Sequence, residues 1–174
     1  MSWLPCASWP AGLSPRVAGL VAHFEAIART RMAGVPLLNP ALAVEAVGFA
    51  IQSGEEQRTV ATGILLTPWF MNLVRLPLQA IEDHAEVGRA QLHEVGPETF
   101  DFIGAHEDSI GAYAACSLFS PMFEFATQAA ARETALAVLD ALRRASTPRT
   151  GGAEPVSARR SFLFGRGLAP AAAR

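Results

Sequence analysis

Two segments with the repeat of an amphipathic helix bracket a central stretch that carries β-type alternation, and any fold of this chain must satisfy that order. The first begins at Ser14-Pro15, a pair suited to opening a helix. Val17, Leu20, Val21, Phe24, Ile27 and Ala28 then keep one apolar stripe until Arg31-Met32-Ala33-Gly34. The second runs from about Glu124 to Ala145, where Phe125, Ala129, Ala130, Ala135, Leu136, Val138, Leu139 and Leu142 sit among strong helix formers with arginines at the end. Ser120-Pro121 repeats the opening chemistry of Ser14-Pro15 and is expected to begin that helix.

Between them, Asn39-Pro40 restarts the chain in an extended form. Residues 44–51 and 60–66 read as two strands around the turn at Ser53-Gly54-Glu55-Glu56. Thr99 to Ile103 alternates as a half-buried strand, with Ile110 to Leu118 as its neighbour, while Asp83 to Glu94 is polar and carries no clear period. The expectation is an α+β fold, an antiparallel sheet of four or five strands flanked by an N-terminal helix and a long C-terminal helix. Residues 14–146 form its single domain, after a leader at 1–13 and before a linker and basic tail at 147–174.

Hydrophobic residues make up 51% and charged residues 17%, which supplies a core and lies outside the composition of disorder. The leader lacks the basic and long apolar regions of a secretory signal, and Pro68, Asn72, Arg75 and Pro77 interrupt the apolar run from Ile64 to Leu78. A cytoplasmic protein without a membrane span is expected. Cys6 and Cys116, in unlike contexts, do not suggest a disulfide framework.

Charge is divided unevenly. Residues 1–146 hold nine Arg and 15 Asp plus Glu, a net −6, whereas residues 147–174 hold five Arg and one Glu, a net +4. An acidic body argues against nucleic acid as its partner, because phosphate binding needs a basic face. A basic peptide is the better electrostatic match.

Three constellations could carry function. In the first, Thr67-Pro68-Trp69-Phe70-Met71 places two large rings and a thioether at a bend, as peptide-binding surfaces do and as side chains closing a core also do; both readings stay open. The second is the link from the last strand to the long helix, with Cys116, Ser117, Phe119, Pro121 and Met122. As a nucleophile Cys116 would need a base, and as a metal ligand it would need close Cys or His companions. The spacing of His23, His84, His93 and His106 supplies neither, so a buried, inert thiol is expected. Carboxylate pairs such as Glu55-Glu56, Glu82-Asp83 and Glu107-Asp108 are adjacent, which suits solvated turns better than an acid and base. With no Gly-rich phosphate loop before a helix, the residues point to no catalytic group, no metal site and no cofactor.

The third constellation is the tail. Arg159-Arg160 followed by Phe162, Leu163, Phe164 and Arg166 resembles the core of a twin-arginine export signal, at the wrong end of the chain and without the apolar segment that follows a working one. An ordinary basic tail is the alternative reading.

Read jointly, five blocks resemble the HybE/HupJ family of [NiFe]-hydrogenase assembly chaperones. They are Phe24-Glu-Ala-Ile-Ala28 with Arg31-Met32, Leu38-Asn-Pro40, Ile64-Leu-Leu-Thr-Pro-Trp69, Cys116-Ser-Leu-Phe-Ser-Pro121 and Arg159-Arg-Ser-Phe-Leu-Phe-Gly-Arg166. The Phe119, Met122, Phe123 stretch and the Leu73-Val-Arg-Leu-Pro77 segment are closer to the HupJ side. The resemblance implies a non-enzymatic, cytoplasmic maturation factor that binds a [NiFe]-hydrogenase subunit precursor, foremost the small subunit with its twin-arginine signal peptide, and works beside other maturation factors. A metal or redox carrier or protective factor in hydrogenase maturation, using Cys116 with a histidine brought close by folding, stands as the alternative.

Overall fold

A computed structural model describes residues 13–52, 59–79 and 84–144. In chain order the elements are α1 (Leu13–Arg29), β1 (Glu45–Gln52), β2 (Val60–Leu66), β3 (Met71–Pro77), β4 (Ala90–Val95), β5 (Glu98–Glu107), β6 (Gly111–Phe119) and α2 (Gln128–Arg144). The strands form one antiparallel sheet in the order β1-β2-β3-β6-β5-β4. After β3 the chain crosses to the outer edge to make β4, then returns through β5 to lay β6 beside β3.

One helix packs on each face. On the first, Leu13, Val17, Leu20 and Phe24 of α1 meet Phe49, Ala61, Leu65, Val74, Leu76 and Ile110. On the other, Ala131, Ala135, Val138, Leu139 and Leu142 of α2 meet Val47, Ile64, Leu66, Leu73, Phe100 and Phe102. These side chains drive the assembly, since burying a Leu or Phe contributes roughly 1.5–3 kcal/mol. Because β2 and β3 lie between both helices, their burial is nearly continuous along the strand.

Two glycines let the layers close. A Cβ at Gly63 would collide with the ring and backbone of Phe49. Gly48 sits in the left-handed region at φ 61°, at a bulge between Val47 and Ala50, and a side chain there would strike Leu139 of α2. The helix can therefore approach closely enough for Arg143 to donate to the Gly48 carbonyl at 2.9 Å.

The α+β architecture holds, with six strands instead of four or five. β3 is one addition: the apolar run broken at Pro68 is a hairpin, not a strand followed by a bend. β4 is the other, drawn from the polar segment; an edge strand buries little and so shows little apolar alternation. The second helix also starts later. Ser120 and Pro121 are exposed, their peptide bond is cis, and the first turn is instead met by Thr127, whose Oγ1 accepts from the Ala130 amide at 3.2 Å. Residues 120–127 cannot continue a helix because Met122 and Phe125 turn into the core and their carbonyls are taken by Asn39. Leu13, the last residue of the expected leader, opens α1; residues 1–12 and the linker and tail at 147–174 lie outside the described residues.

Candidate partner-binding groove

The site grows from a four-residue turn. The Thr67 amide donates to the Phe70 carbonyl at 2.9 Å, while Thr67 Oγ1 accepts from the Phe70 amide at 2.9 Å, so this buried threonine closes the β2–β3 hairpin from inside. The turn is held from two further directions. Asn39 N donates to the Pro68 carbonyl at 2.8 Å, and Ser120 Oγ donates to the Trp69 carbonyl at 3.3 Å. Asn39 then uses its side-chain amide to donate to the carbonyls of Met122, at 2.9 Å, and Phe125, at 2.8 Å. On the α1 side, the Phe70 ring packs edge-on against Phe24 at 5.6 Å and Trp69 at 5.5 Å, and Phe24 meets Tyr113 at 6.4 Å.

Beyond the end of α1 the described residues leave the same sheet face uncovered. A groove of about 270 Å³ lies there, with Phe24 and Phe70 at one end, Asn72 and Ser117 on its floor, and Ile103, Ala105 and Tyr113 along β5 and β6. Opposed residues of antiparallel strands share a face. The pairings Ala90↔Ile103 and Leu92↔Asp101 therefore put Leu92, Asp101 and, by alternation, Glu94 and Glu107 on this side. Two of its apolar side chains are open to solvent, Ile103 at 55% and Leu92 at 70% exposure.

The face is anionic. Asp101, Glu94 and Glu107 stand on it, and Arg31 lies 3.8 Å from Glu107. Burial, reinforced by Glu107 and opposed by Arg31, pushes the Tyr113 hydroxyl up to about 12, so it stays a neutral donor and acceptor. Asn72 Oδ1 is buried and has no hydrogen-bond partner among the described residues, which leaves an acceptor open to a donor.

Residues 15–165 match the family model for the [NiFe]-hydrogenase assembly chaperone HybE. The chain belongs to the HybE family. It is 47% identical to the protein HoxT of Cupriavidus necator over 87% of this chain and 89% of that one. Against the hydrogenase expression/formation protein HupJ of Bradyrhizobium diazoefficiens it is 38% identical over 84% and 85% of the two chains. The fold is similar to the solution structure of HybE from Escherichia coli, with a TM-score of 0.56 and 26% identity over 88% of this chain and 91% of that one.

Four of the five HybE-like blocks meet here: Phe24 with its helix, Leu38-Asn-Pro40, Ile64 to Trp69 and Cys116 to Pro121 are joined by the bonds and ring contacts just described. The fifth, Arg159 to Arg166, lies outside the described residues. Among the residues expected to touch a partner, Trp69 and Phe70 are half-buried and Ser117 reaches the groove floor. Pro121 is exposed, Phe119 is half-buried against Phe125, and Pro68 is buried. Thr67, Met71 and Met122 show no exposed surface and Cys116 is 3% exposed, so none of these four presents a surface to a partner.

Cys116 lies on the α2 face of the sheet, away from the groove, and among the described residues there is no cluster of three His, Cys, Asp or Glu able to hold a metal. His23 accepts or donates to Ser109 Oγ at 2.8 Å and faces Glu107 at 3.5 Å; the trio ties α1 to the β5–β6 hairpin. No helix among the described residues is long and apolar enough to cross a membrane. Sequence reasoning did not single out Ile103, Tyr113, Asn72 or Asp101. Their only sequence signal is strand alternation, and it takes the sheet order to put them side by side.

Proposed function

We propose that this HybE-family chain is a cytoplasmic chaperone that receives a [NiFe]-hydrogenase subunit precursor, the small subunit before twin-arginine export, in the groove between Phe70 and Ile103. The observation that carries this reading is the coincidence of an open apolar floor with carboxylates on the same sheet face. A segment that is both basic and apolar, the chemistry of a twin-arginine signal region, would bury Ile103 and Leu92 and place its arginines beside Asp101 and Glu94. The thiol-carrier alternative finds less support, because Cys116 is sealed in the core.

The test is direct binding of purified small-subunit precursor, with and without its signal peptide, to the wild-type chain and to Ile103→Arg. Ile103 is exposed, so the change should spare the fold. Binding of the precursor and its loss in the variant are expected. No binding in either form, or equal binding by wild type and variant, would reject the groove as the client site.

A further inference from the structure

We infer that the same groove is a docking site for this chain's own basic tail, residues 158–166, when no client fills it. The inference adds a second occupant to the surface proposed for the client, so its test uses no client.

Three observations converge. The groove presents an apolar floor with Asp101 and Glu94 on the same face, and the chain carries one compact segment with the complementary chemistry: Arg159 and Arg160 next to Phe162, Leu163 and Phe164. Asn72 Oδ1 is buried with no hydrogen-bond partner among the described residues, and a guanidinium or a backbone N–H of a docked segment would supply its donor.

Length also permits it. α2 ends at Arg144, on the opposite face, and Arg159 follows 15 residues later. Such a connection extends to roughly 50 Å, against a domain diameter on the order of 40 Å, so the tail can pass round the sheet edge. A tether of that size holds its end at about millimolar local concentration. Weak intrinsic affinity then suffices to occupy the groove, while a client of higher affinity displaces the tail. The family model matches through residue 165, well past the end of α2, so the tail segment belongs to the region shared with the family.

The experiment uses the full chain with a nitroxide on Ser161→Cys in a Cys6→Ser background, because Cys116 is too buried to compete for the label. The amide signals of Ile103, Ala105 and Tyr113 should lose about twofold or more of their intensity, as expected for a mostly occupied tethered site. Signals of Leu139 and Leu142, on the other face, should not. Introducing Arg159→Glu with Arg160→Glu should restore the groove signals. Undiminished groove signals, broadening centred on α2, or broadening that survives the charge reversal would each overturn the inference. Because none of these readouts involves a hydrogenase subunit, a failure here leaves the client reading standing, and the reverse.

Discussion

Asn39 fastens itself to Met122 across the end of the sheet: its side-chain amide donates to the Met122 carbonyl at 2.9 Å and to that of Phe125 at 2.8 Å, in a buried setting. Its backbone N–H meanwhile holds the Pro68 carbonyl of the β2–β3 turn. One side chain thus sets the position of the non-helical link and, through the turn, of Trp69 and Phe70.

Replacing Asn39 with Leu strands the buried Phe125 carbonyl, whereas the Met122 carbonyl keeps the Phe125 amide as a donor at 3.2 Å, and an unsatisfied buried group costs about 1–3 kcal/mol. Asn39→Leu should lose roughly 1–3 kcal/mol in urea denaturation. Asn39→Asp should be at least as damaging, since it sets an acceptor against two acceptors.

Gly63→Ala puts a methyl group into the ring and backbone of Phe49, a contact that a side-chain rotation cannot relieve. A loss of about 2 kcal/mol or more is expected, with a lowered Tm. Gly48→Ala should fall in the same range, because it combines a φ of 61° with a clash against Leu139.

Tyr113 predicts an alkaline limb of instability. Burial and Glu107 hold its hydroxyl protonated up to about 12 in the fold, against 10.0 for an unperturbed tyrosine. The fold keeps a proton that the unfolded chain releases, so the contribution is complete below pH 10 and is lost as the pH climbs from 10 toward 12. Each unit corresponds to about 1.4 kcal/mol. Tyr113→Phe should flatten the fall in stability over that window when unfolding is followed at several alkaline pH values.

Glu94→Arg should weaken binding of a basic precursor segment severalfold at low salt, with little change in Tm, since Glu94 is exposed. Raising ionic strength should narrow the difference between wild type and variant, because exposed charges are screened. Titration calorimetry at two salt concentrations reads both effects.

Cys116 should resist alkylation in the native protein and react only on unfolding, since 3% of it is exposed. Cys116→Ala should cost on the order of 1 kcal/mol in stability while leaving client binding unchanged. A specific loss of binding in that variant would revive the thiol-carrier reading.

Periodicity alone set out the two helices and the strands that alternate. Val17, Leu20 and Phe24, like Val138, Leu139 and Leu142, carry their burial in their spacing. The acidic body, the basic tail and the family blocks were also legible, because charge and local motifs are properties of the chain itself. β4 was not, for an edge strand needs few apolar residues; nor was the late start of α2, which depends on carbonyls captured by Asn39, 83 and 86 positions away.

The groove belongs wholly to the tertiary structure. Ile103, Asn72 and Tyr113 share a surface only because the chain leaves β3 for the far edge and returns through β5 to lay β6 beside β3, and α1 ends at Arg29, short of covering that face. Sequence spacing determines which side of its own strand a residue faces. Which strands become neighbours, and which face stays uncovered, is decided by long-range packing of two helices on one sheet.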